Sequence, residues 1–252
     1  MGVVFAAGFL VPQQLGRMEY FRGAAAAFPG ALFPLVPAFG SISTRATELA
    51  RQIDSAFPAG PIHIVAHSMG GLDSRYLLSR NLCGLASRVV SLSTISTPHA
   101  GSPIADLLVG PAPSVSDPRW ITYQSLVHFA AEFGLSLGAL GNLTTSCAPT
   151  FNAQNPKVAG VRYYCYAGSG MESFVLKPSH MYISFLGQTA DERDNDGLVS
   201  VKSASWIPLA EGAWSTADHL SEVGYSLSTP TLASAFDHIA AYRRILARAG
   251  AI

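Results

Sequence analysis

The sequence is poor in charge and in long apolar runs, and each shortage excludes a class of protein. Only 13% of the residues are charged, and 16 basic side chains are balanced by 16 acidic ones. A chain without net charge has no long-range field to attract a polyanion, so nucleic acid is not an expected partner. Because no run of about 18 apolar residues occurs, the sequence predicts no transmembrane segment.

Cysteine is also scarce, which excludes a disulfide-rich scaffold. The three cysteines, Cys83, Cys147 and Cys165, match no zinc-binding spacing and are too few for a disulfide framework. If one bridge forms, Cys147 with Cys165 is the favoured pair because both flank the same loop. Buried free thiols are an equally good interpretation.

The first residues, Met-Gly-Val-Val-Phe, lack the basic and apolar segments of a secretory signal. The sequence therefore predicts a soluble chain. It does not decide between export and retention, because a processed chain with a new initiator would look the same.

Strand and helix patterns alternate along most of the chain. Short apolar runs predict strands at 3–6, 62–66 and 89–95, and a further apolar run lies at 31–37. Apolar spacings of three and four predict helices at 46–57 and 70–80, and helix formers are frequent at 13–28. A last helix is expected to start at Thr229-Pro230 and to turn Leu232, Phe236, Ile239 and Tyr242 inward. This order predicts one α/β domain, residues 1–252, whose mostly parallel sheet has helices on both faces.

One segment, at about 103–148, departs from the alternation. It is rich in Pro, Ser and Gly at first and then apolar through Leu126, Phe129 and Phe133. A packed helical insertion explains this pattern, and a mobile lid over a binding site explains it too.

The strongest motif is Ile62-His63-Ile64-Val65-Ala66-His67-Ser68-Met69-Gly70-Gly71, a β-branched strand followed by a serine and two glycines. It predicts a sharp strand-to-helix turn that exposes the serine hydroxyl above the sheet edge. Small neighbours are needed because the backbone at such a serine is strained, and a group larger than methyl at 66 or 70 should collide. The turn also directs the amide of Met69 toward an acyl oxygen, so Ser68 is the candidate nucleophile and Met69 a candidate oxyanion donor.

Several motifs in chain order resemble those of bacterial triacylglycerol lipases of the true-lipase type and their fungal relatives. The similar segments are Ala7-Gly8-Phe9, the serine turn, Thr94 to Ser102, Leu143-Thr144-Thr145, Phe151-Asn152, Asn195 to Ser200 and Asp218-His219-Leu220. The resemblance implies the α/β-hydrolase fold with a helical, lid-like insertion. It also implies Asp196 as the acid, His219 as the base and the amide of Phe9 as the second oxyanion donor. The order Ser, acid, His is the one that α/β-hydrolases use.

Without the resemblance, the acid and the base are less certain. Seven histidines compete, and His180 is the main rival to His219. Asp194 is the alternative to Asp196, which is favoured because its Asn-Asp-Gly turn can present a carboxylate rigidly. The other acidic residues near 191 match no hard-cation loop, and a solvated loop explains them better.

Three departures from the lipase pattern matter for chemistry. Ala7 replaces a histidine that helps to fix the oxyanion loop, but the loop amide itself remains. Lys202 and Ser203 stand where the bacterial enzymes have a disulfide cysteine. Ser221 stands where they have a calcium-binding aspartate, so neither calcium nor another cofactor is expected.

Together these features predict a serine carboxylic-ester hydrolase, a lipase or esterase, acting through an acyl-enzyme. Candidate walls of its acyl pocket are Leu10, Leu126, Phe129 and Phe133, and an apolar pocket would favour esters of medium or long acyl chains. The expected partner is a small ester or lipid, with contact at a lipid interface. The resemblance to secreted lipases is compatible with an extracytoplasmic location. An acyltransferase or thioesterase with the same three residues, and a non-catalytic lipid-binding protein, are the alternatives.

Overall fold

The computed structural model describes residues 1–9, 19–38, 40–132, 140–228 and 231–252, with only the backbone described at 129–132. Within these residues a parallel sheet has the strand order β1-β2-β3-β4. The strands are β1 Gly2–Ala6, β2 Ile62–His67, β3 Val89–Ile95 and β4 Arg162–Tyr166. The three predicted strands are confirmed, β4 was not predicted, and the apolar run at 31–37 contributes one bridge, Val4 to Leu32.

Helices connect and cover the strands. In chain order they are α1 Ala24–Ala27, α2 Ile42–Ala56, α3 Met69–Ser79, α4 Pro103–Val109, α5 Trp120–Glu132, α6 Ala148–Gln154, α7 Lys177–Leu186, α8 Ala190–Arg193, α9 Val201–Ala204 and α10 His238–Ala249. Short 3₁₀ turns lie at Leu82–Ser87, Gly141–Leu143, Phe174–Leu176 and Ser221–Val223.

The sheet is buried on both faces, as predicted for parallel strands. Alternate residues of each strand point to opposite sides, so Val4 and Ile64 pack against α2 and α3, whereas Phe5 and Val65 pack against α10. On the second side, Phe5 is surrounded by aromatic rings, including Phe33 stacked at 5.0 Å. This packing fixes the carboxyl ends of the strands, from which the site is built.

Two helix predictions were wrong in their bounds. The last helix begins at His238, where the Asp237 carboxylate caps the amide of Ala240, although the Thr-Pro pair had suggested an earlier start. Thr229 and Pro230 lie outside the described residues, and Leu232 has a left-handed φ of 54° that no helix allows. Within 13–28, the described helix is only α1.

The described part of 103–148 contains α4, α5 and the turn Gly141–Leu143, with irregular segments at 110–119 and 144–147. The cysteine pair favoured by sequence does not form a bridge: Cys147 is exposed and free, whereas Cys165 is buried in β4, where the Thr94 hydroxyl donates to its sulfur at 3.4 Å. Among the described helices, none has the length and apolarity that crossing a bilayer requires.

A buried ion pair ties the loop after β1 to the helices behind it. Arg45 of α2 is fully buried, and its Nε lies 2.8 Å from the Asp73 carboxylate of α3. The same guanidinium donates to the carbonyls of Ala7, Gly8 and Pro37 at 2.9, 3.1 and 3.0 Å. One side chain therefore fixes the loop that contains the predicted oxyanion donor.

We expect Arg45→Met to lower the free energy of unfolding by about 3–5 kcal/mol, because it leaves the buried Asp73 carboxyl, whose pKa burial already raises to about 7, without its partner and the loop carbonyls without their donor. Arg51→Met on the same helix is the matched control, since Arg51 pairs with Glu48 at an exposed position. The control should change stability by less than about 1 kcal/mol. Denaturant unfolding measures both, and equal losses in the two variants would contradict the role given to Arg45.

Candidate active site

Ser68 lies at the sharp turn between β2 and α3, as the sequence predicted. Its φ of 55° and ψ of −133° are strained for a residue with a side chain, and its amide donates to the Ile95 carbonyl at 2.9 Å. Met69 follows as the first residue of α3 and is buried. The end of β2 and the start of α3 therefore hold the serine rigidly at the sheet edge.

The turn has no room for larger neighbours. A Cβ added to Gly70 would lie 2.4 Å from the Ala6 carbonyl oxygen, and one added to Gly8 would lie 2.6 Å from Ser68 Cβ. Even a methyl group is therefore excluded at 70, a tighter limit than the sequence had indicated. The serine turn therefore packs directly against the loop that follows β1.

Asp196 and His219 are paired. Asp196 Oδ2 lies 2.7 Å from His219 Nδ1, and Asp196 Oδ1 accepts the amides of Leu198 and Val199 at 2.8 and 2.7 Å. Both side chains are buried, and the His219 amide donates to the Asp196 carbonyl at 2.9 Å. Because Nδ1 is engaged by the acid, Nε2 is the nitrogen available for base chemistry.

The rival residues are placed elsewhere. Asp194 is exposed, and His180 lies on α7, where its backbone carbonyl accepts from the Asn195 side chain. His99 is buried and stacks on Trp206 with ring centroids 5.5 Å apart, a core position. His63 pairs with Ser91, and His238 pairs with the Arg22 carbonyl.

A second buried carboxylate shapes the loop around His219. Asp218 accepts the amides of Ser173, Leu220 and Ser221. The Ser221 hydroxyl in turn accepts the Asp218 amide at 2.6 Å and donates to the Asp218 carbonyl at 2.9 Å. Ser221, which stands at the calcium-ligand position of the resembling lipases, thus closes a turn beside the histidine.

Ser68, His219 and Phe9 line one cavity whose other walls are almost entirely apolar. Those walls are Pro98, Ser102, Ile104, Ala105, Leu108, Leu126, Leu140, Leu143, Leu198 and Val199. Of the four pocket residues named from sequence, Leu126 lines this cavity. Leu10 and Phe133 lie outside the described residues, as does the side chain of Phe129.

Several cavity residues were missed by sequence reasoning. Ile104 and Leu108 come from α4, whose apolar face is visible in the sequence but has nothing to link it to the serine. Leu198 and Val199 directly follow the Asn-Asp-Gly turn, so their place beside the acid could have been inferred.

The acidic residues near 191 do not form a metal site within the described chain. The Glu192 carboxylate accepts the Thr189 amide in a capping box at the start of α8, so these residues form a short helix with no buried side chain where a loop had been predicted. The described groups close enough to share an ion are His67, His219 and Glu222, all buried. His67 pairs with Glu222, a residue that the sequence analysis missed.

The arrangement has the parts needed for acyl transfer: a serine on a strained turn, a histidine oriented by a carboxylate, and an apolar cavity that contains both. Comparison with solved structures agrees with the fold. Bacillus licheniformis lipase BlEst2 in its mature form matches with a TM-score of 0.66 and 23% identity over 88% of this chain and 85% of that chain. Fold and site together therefore define an α/β-hydrolase.

Sequence comparison narrows the class. No family model matches the chain. It is 30% identical over 203 residues to triacylglycerol lipase 2 of Saccharomyces cerevisiae, covering 75% of this chain and 56% of the relative. It is 28% identical over 231 residues to a triacylglycerol lipase of Vibrio cholerae, covering 80% of this chain and 72% of the relative. The chain is thus similar to triacylglycerol lipases, and it spans just over half the length of the yeast protein.

We expect Gly70→Ala to destabilise the protein by about 1–3 kcal/mol, because the new methyl meets backbone oxygens that cannot move independently. Gly141→Ala is the control, since a Cβ there meets nothing within 4 Å. Thermal unfolding compares the two variants. A Gly70→Ala protein as stable as Gly141→Ala would contradict the close packing of the serine turn against the end of β1.

Proposed function

We propose that the chain is a serine carboxylic-ester hydrolase of the lipase or esterase type. The observation that carries this proposal is the apolar cavity lined by Ser68 and His219, with Asp196 Oδ2 2.7 Å from the histidine Nδ1. The relation to triacylglycerol lipases supports it independently.

In the proposed mechanism, His219 Nε2 accepts the Ser68 proton as the serine oxygen attacks the ester carbonyl. Asp196 holds the imidazole in the tautomer with its proton on Nδ1 and stabilises the imidazolium that forms. The amides of Phe9 and Met69 donate to the developing oxyanion. The imidazolium then protonates the departing alcohol, and water repeats the sequence to release the acid. No metal is needed in any of these steps.

We propose esters of medium or long acyl chains as substrates, because the cavity beside Ser68 is lined by leucine, isoleucine and valine side chains. Each buried methylene of an acyl chain contributes about 0.8 kcal/mol. Specificity constants should therefore rise along a series of p-nitrophenyl esters until the cavity is filled.

Ser68→Ala should fold normally yet lose ester hydrolysis by a factor of about 10⁴ or more, since the nucleophile is gone. Labelling by a fluorophosphonate should be lost as well. Ser146→Ala, at an exposed serine, is the control and should keep both. Undiminished turnover in the Ser68 variant would end the proposal. Product analysis with added alcohol or thiol acceptors separates hydrolysis from acyl transfer.

We also infer that the protein contacts a lipid surface through a patch next to the cavity. This interfacial patch consists of Ile121 of α5, Phe174, and Met181 and Phe185 of α7, which are 71%, 76%, 61% and 85% exposed. Contiguous apolar side chains on a protein surface usually mark an interaction site. Here they border one groove, with Lys177 and Arg119 also along it.

The inner faces of the same two helices lead to the cavity. Leu126 of α5 and Ile183 of α7 pack together with Ile104 and Leu108, and three of these four also line the cavity beside Ser68. Helix α5 therefore lies between patch and cavity, which supports a lid role for the insertion at 103–148. We propose that activity rises when substrate exceeds its solubility limit.

Phe185→Ser should weaken adsorption to emulsified triglyceride about tenfold or more, because burying a phenylalanine contributes about 1.5–3 kcal/mol. Hydrolysis of a soluble p-nitrophenyl butyrate should stay at the wild-type rate. Leu35→Ser is the control, as Leu35 is 80% exposed but does not border the groove. If Phe185→Ser and Leu35→Ser adsorb to the emulsion equally well, the role proposed for the patch is contradicted.

A further inference from the structure

A chain of buried polar side chains lies behind the proposed catalytic residues. Tyr20 Oη is 2.7 Å from His67 Nδ1, His67 Nε2 is 2.9 Å from Glu222 Oε2, and Ser96 Oγ is 2.5 Å from Glu222 Oε1. Glu222 and Ser96 are essentially inaccessible to solvent, as is His67. Such a network is expensive to bury, so its members must be hydrogen-bonded in a defined arrangement.

One end of this chain reaches the oxyanion loop. Tyr20 lies against Gly8, because a Cβ on Gly8 would lie 2.5 Å from the phenolic oxygen of Tyr20. Gly8 directly precedes Phe9, whose amide is the second oxyanion donor of the proposed mechanism. Tyr20 therefore contacts the loop in which Ala7 stands at the position of a histidine in the lipase pattern.

The other end reaches the loop of the base. Glu222 lies three residues after His219, in the turn Ser221–Val223, and its carbonyl accepts the Tyr242 hydroxyl at 2.6 Å. The ring of His67 lies against the ring of His219, with centroids 4.5 Å apart at 45°. His67 also directly precedes Ser68. The hydrogen-bonded side chains therefore contact the serine turn, the oxyanion loop and the loop of His219.

The proton positions follow from burial. Burial raises the pKa of Glu222 well above its usual range, and the nearby Asp196 carboxylate raises it further. Burial also lowers the pKa of His67, and His219 adds to this effect. Both shifts favour the uncharged forms of the two groups. In these forms Glu222 accepts the Nε2–H of His67 on Oε2 and carries its own proton on Oε1, the oxygen that faces Ser96 Oγ, while the Tyr20 hydroxyl donates to His67 Nδ1.

An uncharged chain suits the chemistry next to it. His219 becomes an imidazolium during each proposed acyl transfer, and a charged His67 ring at 4.5 Å would oppose that charge. A neutral acid gives the site hydrogen bonds without a second carboxylate competing with Asp196 for the base. A glutamine could supply the same hydrogen bonds, since its oxygen can accept from His67 and its amide can donate to Ser96.

We propose that Tyr20, His67 and Glu222 are positioning residues: one hydrogen-bonded chain that sets the oxyanion loop and the ring of His219 against Ser68. The proposal rests on the proposed ester hydrolysis. It assigns to Glu222 a hydrogen-bonding role that glutamine can fill.

The experiment compares steady-state hydrolysis of a soluble p-nitrophenyl ester by Tyr20→Phe, Glu222→Met, Glu222→Gln and the wild type. Displacing catalytic groups by about 1 Å costs up to about 100-fold, so kcat should fall about 10- to 100-fold in Tyr20→Phe and Glu222→Met. KM should change less than about threefold, because the acyl cavity is untouched. Glu222→Gln should restore kcat to within about threefold of the wild type.

Tyr164→Phe serves as the control, because its hydroxyl contacts only the Arg248 carbonyl in the contacts described, at 3.4 Å. Thermal unfolding is followed for every variant, since a merely structural role would lower stability without separating kcat from KM. If Glu222→Met does not fold, Tyr20→Phe, which removes a single hydroxyl, decides the matter alone.

The inference is overturned if Tyr20→Phe keeps the wild-type kcat, or if Glu222→Gln is as slow as Glu222→Met, because the carboxylate itself would then be needed. A wild type that neither hydrolyses esters nor reacts with a fluorophosphonate would refute the proposed function, and the inference with it. An active, labelled wild type with unaffected variants would refute the inference alone.

Discussion

The close approach of the serine turn to the end of β1 is the constraint on which the site depends. Gly70 lies so near the Ala6 carbonyl that no side chain fits, and Gly8 is equally near Ser68. This contact brings the start of α3 and the loop after β1 together, so that two backbone segments distant in sequence face one point. Ser68 adopts its strained backbone because the strand, the helix and this loop leave it no alternative.

Around this rigid centre the remaining groups are supplied by loops, and buried polar contacts replace regular structure in fixing them. Asp196 is held by two amides of its own turn, Asp218 closes the turn that contains His219, and Arg45 fixes the carbonyls after β1. Each of these groups is buried and paired, and such pairing makes a loop precise enough to hold the proposed base, His219, in a fixed orientation.

The sequence predicts best what depends on local pattern. The strand, turn and helix around Ser68 follow from adjacent residues, and so do the alternating strands and helices. The start of α10 could not be placed, because a Thr-Pro pair and Asp237 offer competing caps and tertiary packing chooses between them. Strand β4 was missed because its polar and aromatic residues lack a clear alternation, although it completes the sheet beside β3.

Within the site, contacts between residues distant in sequence could not be predicted, because no local pattern reveals them. Asp196 and His219 were named through resemblance, not spacing, and Glu222 was not noticed, since a glutamate in a polar loop resembles any solvated residue. Its burial beside His67 follows only from the fold. Similarly, the exposed phenylalanines of the interfacial patch look like core residues until the helices are placed.

The most direct test of the account is a crystal structure of the protein after reaction with an alkyl phosphonate ester, a stable mimic of the tetrahedral intermediate. The account predicts one covalent adduct, on Ser68 Oγ, with the phosphoryl oxygen about 2.7–3.1 Å from the amides of Phe9 and Met69 and the alkyl chain in the apolar cavity. An adduct on another residue, or a phosphoryl oxygen directed away from both amides, would contradict it.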